Sequence, residues 1–347
     1  MKGAVFLGDR TVALQDFPDP EPGPGEAVVA IRASGMCGSD LHIYRDKPGT
    51  PATSGLRVVG HEPAGVVHAV GPGVEPDVAA LGDRVMVHHY IGCTRCDHCR
   101  SGWPQMCTGA PFRAFGTHEN GAHAPFMLAP ATTLVPLDPA LSFEAGAAIG
   151  CGTGTAWGGL ERLGDLGGST IAVFGQGPVG LSATMLATAR GARVVAIDPE
   201  AGRLDQARQF GAVATVDPTA GDAAAALRDL TDGAGVPMVL ETSGASPAIA
   251  AGIAGLAPWG RMCLIGLGGG EARFRVVDVF HSQMTLMTSW TMSIVAQRQC
   301  AEFIVRNKLP IDDLFTHRWR LDQIAEAYRV FDTQSAGKGA VVFDDMS

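Results

Sequence analysis

The sequence predicts an α/β protein in which a β-rich first part precedes a doubly wound parallel sheet. Three observations predict it. Residues up to about 150 read as short β-type runs broken by Gly and Pro. From about residue 142 strand-like and helix-like segments alternate strictly, and parallel strands need such crossovers. Between an apolar strand pattern and a helical one lies Gly175-Gln176-Gly177-Pro178-Val179-Gly180, the setting that a dinucleotide-binding turn requires.

The elements follow in order. Strands are expected over 27–33, 64–70 and 83–87, where Val, Ile and Ala runs are bounded by turn residues. Pro18, Pro20, Pro22 and Pro24 make one extended, rigid surface segment. In the second part 171–174 reads as a buried strand and 179 to about 190 as a helix. Then come a strand at 194–197, a helix at 200–210, a strand at 213–216 and a helix at 223–230. A strand at 238–241, a helix, and a strand at 261–266 complete the alternation, with an apolar stretch at 283–290 as a sheet edge open to pairing. The tail holds helical patterns at 296–307 and 321–331 and a short strand at 340–343. The chain accordingly divides into 1–150, 151–290 and a terminal segment, 291–347.

At 347 residues the chain has material for two domains, and 46% hydrophobic with 18% charged residues is the composition of a globular enzyme. A formal charge of −9 with no basic run argues against a nucleic-acid partner. No apolar run approaches the roughly 20 residues that span a bilayer, so no membrane association is expected. Charge falls too early in the first residues for a signal peptide, which points to the cytoplasm.

The chain has 8 Cys, and in a reducing compartment these are thiols or metal ligands rather than disulfides. Cys93, Cys96, Cys99 and Cys107 lie on one loop at the spacing of a closed tetrahedral zinc site, which leaves no position for substrate. Its expected role is to organise a loop with too few apolar residues to fold unaided. Cys263 and Cys300 sit in apolar strand and helix patterns and read as core fillers. Cys37, His61, Glu62 and Cys151 are scattered. Two thiolates and an imidazole suit a zinc site with an open position, although each residue taken alone reads as readily as an ordinary core side chain.

In the glycine-rich turn, Gly175 makes the tight bend, Gly177 admits the pyrophosphate, and Gly180 lets helix and strand pack closely. Pro178 and Val179 open the helix, whose first N–H groups face the phosphates. Asp198 ends the next strand, 18 residues beyond Gly180, where a carboxylate accepts from the adenosine ribose and favours NAD over NADP. It is equally placed to cap the helix near Glu200, and Arg203 could tolerate a 2′-phosphate.

Together these motifs resemble the zinc-containing alcohol and polyol dehydrogenases of the medium-chain dehydrogenase superfamily. The match runs in order through Cys37-Gly38-Ser39-Asp40-Leu41-His42, Gly60-His61-Glu62, the four-Cys loop, Gly150-Cys151-Gly152-Thr153-Gly154-Thr155-Ala156, the glycine-rich turn and Asp198. The resemblance implies a GroES-like zinc-binding catalytic domain, a Rossmann domain for NAD, and a terminal segment returning to the catalytic domain. It implies Cys37, His61 and Cys151 as ligands of a catalytic zinc, Glu62 as an alternate ligand, and Asp40 as the carboxylate orienting the zinc histidine. Ser39 and His42 match a proton relay. Thr155 falls at a nicotinamide contact, Gly266 at a further cofactor contact, and Lys338 at a basic residue on the pyrophosphate.

Polyol-type relatives carry a Glu a few residues before the position of Cys151, and Ala148 stands there; this favours the alcohol dehydrogenase type. His89 falls where relatives carry a side chain of the substrate pocket. The implied function is reversible oxidation of an alcohol, secondary or polyol, with hydride passing to NAD in a homodimer or homotetramer. Two alternatives compete with it: a zinc-independent quinone or enone reductase, and a non-catalytic nucleotide-bound redox sensor of the same fold.

Overall fold

The structure is a computed structural model and describes residues 1–335 and 337–344. The chain forms two compact units: Met1–Cys151 together with Ser293–Ser347, and Gly152–Met292.

The first unit is built on a seven-stranded sheet in the order Phe315–Trp319, Lys338–Val342, Glu26–Gly35, Glu62–Val70, Arg84–Val87, Leu134–Pro136, with Phe126–Pro130 also paired to Glu26–Gly35. Its central pair, Glu26–Gly35 and Glu62–Val70, runs antiparallel with Gly35 opposite Glu62. That register matters because it brings the end of one strand beside the start of the next, where the ligand candidates lie. Helix Phe143–Gly150 is capped by Ser142 Oγ, which accepts from the Ala145 amide at 2.9 Å. Small side chains let it sit close on the sheet, with Ala147 against Ala33 and Ala64. A second apolar cluster gathers Phe6, Met36, Leu41, Tyr44, Trp319, Tyr328 and Phe331, so residues from both ends of the chain share one core.

The second unit carries six strands in the order Ala214–Val216, Arg193–Ile197, Thr170–Phe174, Val236–Glu241, Leu256–Leu264, Thr285–Thr288, and every pair is parallel. The order reverses direction between Thr170–Phe174 and Val236–Glu241. This is the switch point where doubly wound sheets bind ligands beyond the carboxyl ends of their strands. Among the described residues no helix is long and apolar enough to cross a membrane.

The elements depart from expectation in places with a physical reason. Lys2–Gly8 and Thr11–Asp16 form an unexpected hairpin. Its turn uses Asp9 and Arg10 at φ of +48° and +58°, where Asn-Gly would have been the readable signal. Helix Gly152–Leu163 was not expected, because its glycines argue against a helix until tertiary packing outweighs propensity. The pattern at 321–331 resolves into a 3₁₀ turn, Leu321–Gln323, and helix Ile324–Phe331. The strand expected over 261–266 is Leu256–Leu264, which leaves Gly266 in the following loop.

Candidate active site

Four side chains from three places converge in the first unit. Cys37 follows strand Glu26–Gly35, His61 and Glu62 open strand Glu62–Val70, and Cys151 ends helix Phe143–Gly150. Gly60 makes the bend before His61 at a φ of +90°, a left-handed value that L side chains rarely adopt. A Cβ on Gly35 would fall 1.9 Å from Glu62 Oε2, so only glycine lets the carboxylate reach the cluster. One ligand atom from each of Cys37, His61, Glu62 and Cys151 lies within 4.8 Å of all the others.

The spacing suits a tetrahedral ion. Cys37 Sγ and Cys151 Sγ are 3.9 Å apart, and Cys151 Sγ is 3.5 Å from His61 Nε2. Zinc bonds of about 2.3 Å to sulfur and about 2.1 Å to nitrogen give tetrahedral edges of about 3.8 and 3.6 Å. The donor set, two thiols and an imidazole, is that of a catalytic zinc site. His61 presents Nε2 because Nδ1 donates to Asp40 Oδ1 at 2.8 Å, and Asp40 Oδ2 accepts the Cys37 amide at 2.9 Å.

Glu62 is wholly buried, with Oε2 2.5 Å from Lys338 Nζ and Oε1 without a hydrogen-bond partner among the described residues. Burial pushes its carboxyl up to about 8 against the pull of Lys338. Lys338, only 2% exposed, also donates to the Met36 carbonyl at 3.2 Å. The role expected for it was on a pyrophosphate; its ammonium instead faces Glu62. Ser39 Oγ lies 3.4 Å from His61 Nε2, and His42 stands exposed three positions later on helix Asp40–Tyr44. His89 is buried, donates Nδ1–H to the Gly150 carbonyl at 2.9 Å, and sets its ring edge-on to His61 at 5.3 Å. Burial holds it well below the ordinary histidine range, so the ring is neutral.

Cys93, Cys96, Cys99 and Cys107 form a second cluster, with the sulfurs of Cys93 and Cys99 and those of Cys96 and Cys107 each 4.0 Å apart. Backbone amides of Cys96 and Cys93 donate to Cys93 Sγ and Cys107 Sγ, both at 3.3 Å. Neighbouring backbone N–H groups pull Cys96 down to about 5, in the thiolate range. Backbone donors thus favour negative sulfur at Cys96 and Cys107, whereas burial pushes the Cys99 thiol up to about 12.

In the second unit, strand Thr170–Phe174 runs into Gly175, at a φ of +84°, and helix Pro178–Ala189 begins after Gly177. Gly177 has open space where a side chain would stand, whereas a Cβ on Gly180 would lie 1.8 Å from the Gly175 carbonyl. These are the separate tasks of approach and packing. Asp198 accepts the Gln176 amide at 2.6 Å and the Glu200 amide at 2.9 Å, while Arg203 stands 3.6 Å away. It thus ties the glycine-rich turn to the neighbouring helix start. Thr155 lies on helix Gly152–Leu163, and Gly266 packs on the backbone of Ser243 and Gly244.

Two family models match the chain: an alcohol dehydrogenase GroES-like domain over residues 23–139 and a zinc-binding dehydrogenase over residues 178–306. An uncharacterized zinc-type alcohol dehydrogenase-like protein of Escherichia coli (strain K12) is 36% identical over 359 residues, covering 99% of each chain. The L-threonine 3-dehydrogenase of Pyrococcus horikoshii is 31% identical over 341 residues, covering 93% of this chain and 92% of its own. The solved alcohol dehydrogenase of Thermus sp. ATN1 superposes with a TM-score of 0.88 at 28% identity, covering 99% of each chain. The fold is that of a zinc-type, alcohol dehydrogenase-like oxidoreductase. The chain belongs to the zinc-containing medium-chain dehydrogenase family.

Proposed function

We propose that this chain is a zinc-dependent oxidoreductase that reversibly oxidises an alcohol, secondary or polyol, to a carbonyl and passes the hydride to NAD. The observation that carries the reading is the convergence of Cys37, His61 and Cys151 at tetrahedral spacing, with Ser39 Oγ 3.4 Å from the imidazole ligand atom. Zinc held there lowers the pKa of a bound hydroxyl. Asp40 keeps His61 in the tautomer that ligates. Glu62 is an alternate ligand held in reserve by Lys338. Ser39 takes the alcohol proton, and His42, at the surface, releases it to solvent. NAD supplies the hydride acceptor; Gly175, Gly177 and the start of helix Pro178–Ala189 take its pyrophosphate, and Asp198 its ribose. Thr155 would contact its nicotinamide, and Gly266 would make a further cofactor contact. The four-Cys cluster holds a second, structural zinc.

The substrate class leans on one relative, since L-threonine carries a secondary hydroxyl that its 3-dehydrogenase oxidises. His89 adds a polar ring beside His61 and favours a substrate with a second polar group. The protein works in the cytoplasm as a homodimer or homotetramer. Support for pairing comes from the edge strand Thr285–Thr288, with Phe280 and Trp290 exposed beside it.

The test is NAD-linked absorbance across secondary alcohols, polyols and β-hydroxy amino acids, with NADP in parallel and zinc counted per chain. Wild type is expected to hold two zinc ions; Cys37→Ala and His61→Ala should each hold one and turn over nothing. Turnover surviving either substitution, or enone reduction that resists chelators, would refute the proposal.

A further inference from the structure

Four polar side chains stand in one line behind the metal-facing imidazole. Ser34 Oγ is 2.7 Å from His123 Nδ1, His123 Nε2 is 2.8 Å from the Tyr328 hydroxyl, and that hydroxyl is 3.3 Å from Asp40 Oδ2. Asp40 Oδ1 then meets His61 Nδ1 at 2.8 Å. Ser34, His123 and Tyr328 are wholly buried. The direction of donation follows from the carboxylate end. Asp40 only accepts, so Tyr328 gives it its one proton and must itself accept from His123 Nε2–H. Nδ1 of His123 is then the acceptor for Ser34. Burial keeps His123 neutral, down to about 4, and holds the Tyr328 phenol above its usual range, so this order persists near neutral pH.

We propose that Tyr328 and His123 are positioning residues for the catalytic metal site, fixing how Asp40 presents its carboxylate and thereby how firmly His61 grips the ion. With Tyr328 and the Cys37 amide both on Oδ2, Oδ1 is left for His61 alone. Without the phenol the carboxylate keeps one anchor and can turn. His123 also steadies the backbone, because a Cβ on Gly60, the residue before His61, would lie 2.6 Å from its Nδ1. Ser34 pairs with Pro63 in the sheet register, so the far end of the line is fixed to the same strand start. A generic buried network would satisfy its own polar atoms and no more. This one terminates on a ligand.

The inference rests on the zinc reading above, and the experiment separates the two. Zinc release to excess chelator is followed in wild type, where the phase missing from Cys37→Ala belongs to the catalytic site and the remaining phase to the four-Cys site. Tyr328→Phe keeps the ring that packs on Phe6 and Tyr44 at 4.8 and 5.4 Å and removes only the hydroxyl. We expect its catalytic phase to quicken roughly 3- to 10-fold, below the effect of changing a group that touches a ligand directly. The four-Cys phase should not move, and cobalt substituted at the catalytic site should show shifted visible bands. Ser34→Ala should do the same more weakly, and in an Asp40→Asn background Tyr328→Phe should add nothing. Unchanged catalytic release and cobalt spectra in both variants, or equal acceleration of both phases, would overturn the inference while leaving the zinc reading intact. Should Tyr328→Phe not fold, Ser34→Ala decides. Wild type lacking the zinc that Cys37→Ala removes would end both claims.

Discussion

Asp198 holds the local fold together, and the proposed function gives the same carboxylate a part in cofactor choice. It closes the glycine-rich turn through the Gln176 amide and the next helix through the Glu200 amide, with Arg203 beside it. Asp198→Ala should lower kcat/KM for NAD by at least about tenfold, the loss of one charged hydrogen bond, and shift preference toward NADP as Arg203 loses its carboxylate neighbour. Measuring kcat/KM with both cofactors checks it; an unchanged ratio would leave Asp198 as a cap alone. His88 gives a second residue-scale forecast. It is wholly buried against Gln297 at 2.8 Å, and burial pushes it down to about 4. In the unfolded chain the ring titrates near 6.5, so between about 6.5 and 4 the unfolded state binds the extra proton. Stability is therefore full above that window and lost as pH falls through it, by about 3 kcal/mol for this one ring. The thermal midpoint of His88→Asn should be flatter from pH 6.5 to 4 than that of wild type.

At the scale of elements, the turn before helix Pro178–Ala189 invites a paired test. Gly177 faces open space at φ −68°, so Gly177→Ala should change stability by less than about 0.5 kcal/mol and yet weaken NAD binding, since the added methyl stands where the phosphates approach. Gly180→Ala has no such room. Its methyl would strike the Gly175 carbonyl, and we expect a loss of about 1–3 kcal/mol together with NAD binding. Calorimetry of both variants with and without NAD separates the two roles. The four-Cys loop poses the complementary question. Its helical turn, Asp97–Arg100, buries none of its residues, so apolar burial contributes little to holding it and ligation is expected to contribute much. Cys107→Ser should lower bound zinc to one per chain and lower the thermal midpoint, with NAD binding by the second unit intact.

For the whole molecule, the chain runs through one unit, builds the parallel-sheet unit without interruption, and returns with Ser293–Ser347 to the first. That return is chemically consequential. Tyr328 and Lys338, from the last part of the chain, reach Asp40 and Glu62 near its beginning. Deleting the chain from residue 324 onward should therefore cost zinc at the Cys37 cluster, besides uncovering Phe6 and Tyr44, whereas the fragment 152–292 should still bind NAD. Zinc analysis and NAD titration of the two pieces would check this.

What the sequence determined by itself is whatever depends on neighbours along the chain. Alternating β and α patterns dictate a parallel sheet because parallel strands require crossovers. The four cysteines at 93–107 lie on one loop, and Gly175, Gly177 and Gly180 lie within a single bend. Tertiary structure alone decided the rest. Cys37 and Cys151 stand 114 positions apart, and no local rule brings their sulfurs to 3.9 Å. The register of Gly35 on Glu62 sets Cys37 beside His61, and packing of helix Phe143–Gly150 on the same sheet, with Ala147 against Ala33 and Ala64, brings Cys151 to them. Lys338 was legible as a basic residue before the last strand but not as the partner of Glu62, and the line through His123 and Tyr328 left no mark at all. Such pairings are settled when a desolvated charge or polar atom must find whichever partner the packed core places within reach.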